Sequence, residues 1–321
     1  MRQTIAQARI IMKKIALFLT ILTLGINMKA QETYRFAQRD TCSLYLDIFR
    51  ADEGSETTFQ GIQKPAVMFV FGGGFKEGER SGEFSVQWFN RLNAEGYTVV
   101  TIDYRLGMKD YEVGKGLIGS LKASPRFLLS QQIGVEDVFS AVAFLAENKD
   151  LGIDVDNLVL SGSSAGAIIS MASEYSIVNG NTEGLPAGFN FKGVMSFAGA
   201  IISNTGAPKY KEAPCPTVMF HGTADKAVAY KHFGLFKHGI WGSSSLAKQF
   251  AKKGWNYSIY RFLDRTHDVA AYMNYLWPQE KEFLEQDVIL GVRRTVDTVI
   301  DDPTLPTWTW SSISLDDIYD K

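Results

Sequence analysis

The sequence is poor in the features that stabilise small or unusual proteins. Its 321 residues include only two cysteines and nine prolines, too few for a framework of several disulfides or for a proline-rich disordered chain. Hydrophobic residues make up 45% of the chain and charged residues 21%, so a sizeable core can form without metals or disulfides. No repeat, low-complexity run or Ser/Pro-rich linker divides the sequence. We therefore expect one large domain over residues 31–321.

The sequence also lacks an excess of either charge. Lysine and arginine total 33 against 35 acidic residues, for a net charge of -2, whereas binding to nucleic acid or anionic membranes requires clustered basic residues. The metal-binding patterns H-E-x-x-H, C-x-x-C and the EF-hand loop do not occur, and Gly78 is not followed by the Lys-Ser or Lys-Thr of a phosphate loop. We predict no cofactor, no metal and a small or neutral substrate.

The first thirty residues differ in character from the rest. Basic side chains precede an apolar run over 15–26, which as a helix would be about 18 Å long, short of the roughly 30 Å hydrocarbon core of a bilayer. This pattern is typical of a secretory signal peptide. We predict cleavage after Ala30, export to the periplasm or the medium, and no stable membrane insertion.

Beyond residue 30, apolar runs typical of buried strands alternate with helical patterns. An opening hairpin is predicted from strands at 33–38 and 44–49. Further strands are predicted at 66–71, 98–102, 157–160, 193–197, 217–220 and 257–262, and helices at 84–93, 132–148, 165–175, 245–253 and 269–286. This order predicts an α/β fold with a mostly parallel sheet and helices on both faces. Excursions at 106–130 and 229–244, and a tail after 286, have no clear period.

A G-x-S-x-G motif lies between a predicted strand and a predicted helix, at 162–166. In that setting it is typical of the tight strand-to-helix turn that exposes a nucleophilic serine, here Ser164. The flanking Gly162 and Gly166 fit such a turn because Cβ atoms there would clash with neighbouring backbone. The alternative is a Gly/Ser-rich turn without chemistry.

A serine nucleophile needs a base, usually histidine, and an acid that orients it. Of the four histidines, His267 lies in the loop between the last predicted strand and the last helix. Asp225 directly follows the strand at 217–220, which gives the chain order Ser, acid, His that this arrangement requires. Asp264 and Asp268 are alternative acids, although their closeness to His267 in sequence favours a role in the turn.

Three consecutive glycines, Gly72 to Gly74, follow the predicted strand at 66–71. Glycines there let the backbone approach a ligand and direct N–H groups towards it. We predict an oxyanion hole formed by the N–H group of Gly73 or of Gly74 together with that of Ala165, to bind the negatively charged oxygen of a tetrahedral intermediate.

Four motifs now stand in a recognisable order. The loop H-G-G-G-[WF]-x-x-G corresponds to 71–78, the D-Y-R motif to 103–105, the serine motif to 162–166 and H-G-T-x-D to 221–225. Together they resemble the serine carboxylesterases of the α/β-hydrolase fold, especially the group related to hormone-sensitive lipase and to bacterial feruloyl and acetyl esterases. The resemblance implies an eight-stranded sheet in the order 1-2-4-3-5-6-7-8, with Ser164 as nucleophile, Asp225 as acid and His267 as base.

The resemblance has departures and further consequences. Phe71 stands where the family usually has histidine, which removes a side-chain hydrogen bond but leaves the backbone donors. The implied strand order separates Cys42 from Cys215 by several strands, so we expect two free thiols. Trp308 and Trp310, in the tail, have no counterpart; they could stack on sugar rings or pack against the protein.

The function implied is that of a secreted serine esterase that hydrolyses carboxylic esters through an acyl-enzyme, with acetyl or feruloyl esters on carbohydrates as candidate substrates. One alternative is a peptidase of the prolyl-oligopeptidase type, in which H-G-T-x-D also occurs. That group carries a propeller domain, for which we find no segment in these residues. A second alternative is a non-enzymatic binding protein, which would be expected to lack members of the triad.

Overall fold

The computed structural model describes residues 31–114 and 116–312. The predicted signal peptide at 1–30 lies outside the described residues. The described residues from Glu32 onwards group together as one compact unit by their internal contacts.

A nine-stranded sheet forms the centre of the fold. Its strands are β1 (Glu32–Gln38), β2 (Ser43–Phe49), β3 (Ala66–Val70), β4 (Val99–Ile102), β5 (Leu158–Ser163), β6 (Gly193–Phe197), β7 (Thr217–Gly222), β8 (Ser258–Phe262) and β9 (Val296–Ile300). They lie in the order β1-β2-β4-β3-β5-β6-β7-β8-β9. The strand β2 runs antiparallel to both β1 and β4, and every other pairing is parallel. The parallel strands from β3 to β8 are almost fully buried, as expected when helices cover both faces.

The predicted α/β architecture and strand order are confirmed over the first eight strands. The difference is β9, which extends the sheet within the tail that had no assigned structure. Most of its residues are exposed, because it is an edge strand that pairs only with β8. Its sequence therefore lacks the continuous apolar run that is typical of the buried strands. Cys42 and Cys215 are both free, as expected.

The helices are α1 (Glu83–Ala94), α2 (Gly116–Glu147), α3 (Ala165–Val178), α4 (Ser243–Lys253) and α5 (Trp277–Glu282). Short 3₁₀ turns lie at Lys149–Leu151 and Val155–Asn157. The first ten residues of α3 are buried, and the helix packs between the sheet and α2. Its first residue follows Ser164 directly, so α3 fixes the position of that serine.

The excursion predicted at 106–130 is only partly irregular, because α2 begins at Gly116 and runs for 32 residues. Glycines and an internal Pro125 obscured its period. The stretch Lys122–Glu147 is long and apolar enough to cross a membrane by length and composition. In the fold its apolar side is packed into the core through Val138, Val142 and Leu145.

The last predicted helix also differs from the structure. The helix expected at 269–286 is broken into a 3₁₀ helix at His267–Asn274, α5, and a π-helix at Phe283–Ile289. Pro278 accounts for the restart, since proline fits the first turn of a helix but not its interior. A last 3₁₀ turn lies at Thr309–Ser312.

The excursion at 229–244 contains a hairpin, His232–Leu235 with His238–Gly242. Its second strand pairs with Ala200–Ser203 to make a separate three-stranded sheet. This pairing joins segments about forty residues apart, so no local pattern predicted it. A short hairpin, formed by Thr58–Phe59 and Ile62–Gln63, precedes β3 in the sequence.

Candidate active site

Ser164 lies in the turn between β5 and α3, in a backbone conformation that side-chain-bearing residues rarely adopt. Its φ is 52° and its ψ is -117°, a strained combination that persists only where the surrounding structure enforces it. The N–H of Ser164 donates to the carbonyl oxygen of Phe197 on β6 at 2.9 Å. The turn therefore holds the serine hydroxyl above the carboxyl ends of the central strands.

The glycines on either side of this turn are required by close backbone contacts. A Cβ at Gly162 would overlap the carbonyl group of Gly166, and one at Gly166 would overlap the carbonyl oxygen of Val70. The neighbouring Ser163 donates its hydroxyl to the carbonyl oxygen of Ala270 at 2.6 Å. The turn is thus tied to β3 on one side and to the segment after His267 on the other.

His267 lies within hydrogen-bond distance of Ser164. Its Nε2 is 2.8 Å from the serine Oγ, and its Nδ1 is 2.7 Å from Oδ2 of Asp225. A carboxylate can only accept, so Nδ1 carries the proton and Nε2 of the neutral ring is free to accept the serine proton. Sequence reasoning placed these three residues in one site, and the fold brings them together as a continuous hydrogen-bonded chain.

Asp225 is almost fully buried and remains a carboxylate. Its Oδ1 accepts the N–H groups of Ala227 at 2.9 Å and Val228 at 3.0 Å. Burial by itself raises the pKa of this carboxyl. The charge of His267 and the hydrogen bonds from His221 and His267 outweigh burial and hold the pKa well below its usual range. The acid is therefore charged wherever the protein is folded near neutral pH.

The alternative acids do not occupy this position. Asp264 is exposed, and its backbone N–H donates to the Thr223 hydroxyl at 2.9 Å. Asp268 is buried, and its carboxylate accepts from the Thr266 hydroxyl at 3.1 Å and from the N–H of Trp308 at 3.0 Å. Asp264 thus braces the loop that carries the acid, and Asp268 binds the C-terminal tail.

A second histidine, His221, contacts the same carboxylate. This residue has no exposed surface, and its Nε2 lies 3.3 Å from Oδ2 of Asp225 and 3.1 Å from the carbonyl oxygen of Val228. Both neighbours are acceptors, so Nε2 carries a proton. Nδ1 lies 2.8 Å from the hydroxyl of Ser243 at the start of α4. Sequence reasoning missed this contact, although the position of His221 four residues before Asp225 was a signal for it.

The glycine loop after β3 faces Ser164. Its turn is closed by the N–H groups of Lys76 and Glu77, which donate to the carbonyl oxygen of Gly73. Gly73 and Gly74 line the cavity that contains Ser164. Ala165 is the first residue of α3, and the first N–H groups of a helix have no acceptor within it. Gly73 and Gly74 therefore line the same cavity as Ser164, and Ala165 follows that serine directly in the chain.

Tyr104, from the D-Y-R motif, supports this loop. Its hydroxyl donates to the carbonyl oxygen of Gly72 at 3.2 Å, and its ring lies 4.5 Å from that of Phe71. Phe71 stands where the motif H-G-G-G-[WF]-x-x-G has histidine. Here the position is filled by aromatic packing against Tyr104 instead of a side-chain hydrogen bond.

A cavity of about 580 Å³ opens over these groups. Its lining includes the glycine loop with Lys76 and Glu77 as well as apolar side chains. The apolar lining consists of Phe69, Phe84, Ala270, Ala271, Met273 and Trp310. The hydrogen-bonded chain beneath it can remove a proton from the hydroxyl of Ser164. Among the described residues, no group of His, Cys, Asp and Glu is arranged to hold a metal ion.

Solved structures similar to this chain share the arrangement of its sheet. Esterase 2 of Thermogutta terrifontis, with propionate bound, matches with a TM-score of 0.56 and 18% identity, covering 81% of this chain and 95% of that one. The same esterase phosphorylated by paraoxon matches with a TM-score of 0.53 and 19% identity, covering 81% of this chain and 95% of that one. The chain has the α/β-hydrolase fold. No family model matches the sequence, and no curated protein does.

In the α/β-hydrolase fold, nucleophile, acid and base come from loops at the carboxyl ends of the strands. In this chain those positions follow β5, β7 and β8 and hold Ser164, Asp225 and His267. Sequence reasoning did not place Phe84 and Met273 at the cavity, nor did it bring Trp310 to it. Their contribution depends on how distant segments pack, for which the sequence carries no local signal.

Proposed function

We propose that this protein is a serine esterase that hydrolyses carboxylic esters through an acyl-enzyme intermediate. The observation that carries the proposal is the hydrogen-bonded chain from Ser164 Oγ to His267 to Asp225, which lies beside a loop of candidate oxyanion donors. The likeness in fold to an esterase that is phosphorylated by paraoxon supports the same chemistry.

The reaction follows from the geometry. His267 Nε2 accepts the hydroxyl proton of Ser164 as Oγ attacks the ester carbonyl carbon, while Asp225 stabilises the imidazolium that forms. The N–H groups of Gly73, Gly74 and Ala165 bind the resulting oxyanion. The intermediate collapses to the acyl-enzyme, and the leaving alkoxide takes the proton from His267. A water molecule, deprotonated by His267, then releases the carboxylic acid and restores Ser164.

The finer substrate proposal is an acetyl or feruloyl ester on a carbohydrate. Two exposed aromatic side chains in the lining of the cavity, Phe84 and Trp310, support it. We propose further that the chain is exported after removal of residues 1–30 and acts as a single domain over 31–321. Intact mass of the protein recovered outside the cytoplasm should correspond to a chain that begins at Gln31.

Labelling with paraoxon tests the nucleophile. Attack by Ser164 Oγ on phosphorus should release p-nitrophenolate and leave a diethylphosphoryl group on the serine. Peptide mass mapping should place this group on Ser164, and Ser164→Ala should not react. A phosphoryl group on another residue would overturn the assignment.

A substrate panel tests the reaction class. The panel is an aryl acetate, an aryl ferulate, acetylated xylan and a peptide amide, each with wild-type protein and Ser164→Ala. We expect turnover of esters that is lost in the variant. Turnover of the amide alone would favour the peptidase, and no turnover of any substrate would favour a binding protein.

A further inference from the structure

The C-terminal segment after β9 returns to the active site and is fixed there by hydrogen bonds to the segment around His267. Three such bonds are formed: Arg265 Nη2 to Asp302 O at 2.6 Å, Tyr272 Oη to Pro306 O at 3.0 Å, and Trp308 N to Asp268 Oδ1 at 3.0 Å. All three partners of the segment lie within five residues of His267. The segment is therefore held against the loop that carries the base.

Trp308 is the packed residue of this segment. Its ring lies about 6 Å from those of Phe84, Tyr272 and Tyr275. Trp310 stacks on it, with the ring centroids 5.6 Å apart and the planes 22° from parallel. One face of the Trp310 indole is thus covered by Trp308, while 41% of the side chain remains exposed. An aromatic ring held by stacking on one side and open on the other is suited to stack on a second flat ring.

Trp310 lies on a particular side of the reacting bond. Its ring meets that of His267 edge-on, with the centroids 6.5 Å apart, and both residues line the cavity. The leaving alcohol of an ester takes its proton from His267, so the alcohol must lie beside that ring. A ring stacked on Trp310 therefore belongs to the alcohol, and the acyl group lies elsewhere in the cavity.

The lining of the cavity also contains polar side chains, those of Lys76, Glu77 and Ser85. An alcohol that stacks on Trp310 and also hydrogen-bonds to such groups would have one apolar face and several hydrogen-bonding groups on its edge. A sugar ring has this distribution, since its C–H face is apolar and its hydroxyls project from the rim. An aryl alcohol has a flat apolar face but few hydrogen-bonding groups on its edge.

We propose that Trp310, positioned by the C-terminal segment, is the stacking platform for a sugar ring on the alcohol side of the substrate. The proposal rests on the esterase function proposed above and names the part of the substrate that the cavity selects. It also assigns the C-terminal segment a role in substrate binding.

Kinetics on esters that share an acetyl group but differ in the alcohol test the proposal. The substrates are an acetylated xylo-oligosaccharide, glyceryl triacetate and p-nitrophenyl acetate. For Trp310→Ala we expect KM for the sugar ester to rise roughly 5-fold or more, which is the scale of one lost ring contact, with a smaller penalty on the other two. Trp310→Phe should recover part of the loss. The matched control is Phe236→Ala, since Phe236 is 91% exposed and does not line the cavity.

A binding measurement separates this proposal from the proposed function. Unacetylated xylo-oligosaccharide is titrated into Ser164→Ala while tryptophan fluorescence is recorded. Trp310→Phe in this background should abolish the change in emission. Trp255→Phe should keep it, because Trp255 lies near the amino-terminal ends of β7 and β8, away from the cavity.

The outcomes are distinguishable. If no ester is hydrolysed, the proposed function fails, and the titration still reports on the platform. If esters are hydrolysed but Trp310→Ala affects all three substrates equally, the sugar platform is wrong and Trp310 acts on the triad or on stability. A penalty confined to p-nitrophenyl acetate, or fluorescence that Trp310→Phe leaves unchanged, would also overturn it.

Discussion

Oδ2 of Asp225 has two histidine neighbours, with Nδ1 of His267 at 2.7 Å and Nε2 of His221 at 3.3 Å. Only His267 reaches Ser164. His221 instead joins the carboxylate to Val228 and to Ser243 on α4. The orientation of the proposed acid therefore depends on a residue that does not contact the nucleophile.

Replacing Asp225 with Asn should lower kcat by about 10⁴-fold, as the same change does in other Ser-His-Asp triads. The amide would present a donor to His267 and favour the tautomer with its proton on Nε2, which cannot accept from Ser164. Steady-state kinetics on an aryl acetate measure the effect. Asp264→Asn is the control because Asp264 is exposed and lies outside the triad, and a near-normal rate for Asp225→Asn would shift the acid role elsewhere.

Replacing His221 with Leu should lower kcat more than it raises KM, because His221 contacts the carboxylate that holds His267. The pKa of Asp225 should rise as well, because the hydrogen bond from His221 lowers it. Steady-state kinetics on an aryl acetate measure the effect on kcat, and His221→Gln, which keeps an N–H donor, should restore part of it. A folded His221→Leu variant with wild-type kcat would contradict the positioning role.

Replacing Gly166 with Ala should displace Ser164. The added Cβ overlaps the carbonyl oxygen of Val70, so we expect a loss of about 1–3 kcal/mol in unfolding free energy and a fall in kcat of about 100-fold. Denaturant unfolding and steady-state rates measure the two effects. At Gly82, the matched control, a Cβ meets only the flexible Glu79 side chain at 3.4 Å, and alanine should be tolerated there. Wild-type kinetics for Gly166→Ala would contradict the turn geometry.

Replacing Glu280 with Gln should remove a pH dependence of stability. Glu280 is fully buried, with Oε2 bonded to the Trp88 indole N–H at 2.7 Å and no partner for Oε1 among the described residues. Burial raises its pKa to about 8. The folded state therefore holds a proton that the unfolded state releases near pH 4.5, and stability should fall as pH rises from about 4.5 to 8.

The expected difference between wild type and Glu280→Gln grows over that window to on the order of 4 kcal/mol. Urea unfolding at pH 5 and pH 8 measures it, with Glu147→Gln as the control because Glu147 is exposed. Parallel stability curves for wild type and Glu280→Gln would show that Glu280 is charged in the folded state.

Sequence patterns predicted the parts of the fold that local chemistry encodes. Continuous apolar runs marked the buried parallel strands, and the G-x-S-x-G motif between a strand and a helix predicted the turn at Ser164. The edge strand and the hairpin, which the sequence patterns left unassigned, depend on partners distant in sequence. The edge strand β9 and the hairpin at His232–Gly242 lack the pattern of buried strands, and α2 was hidden by its glycines and Pro125.

The sequence by itself determined the residue types of the site and their order along the chain, because the strand-to-helix turn and the loops after strands are local features. Only the tertiary structure decided which groups meet. The second histidine on Asp225, the support of the glycine loop by Tyr104, and the position of Trp310 beside His267 each join segments that pack together through the sheet and the C-terminal segment. Such contacts follow from the packing of the whole chain, which no single stretch of sequence specifies.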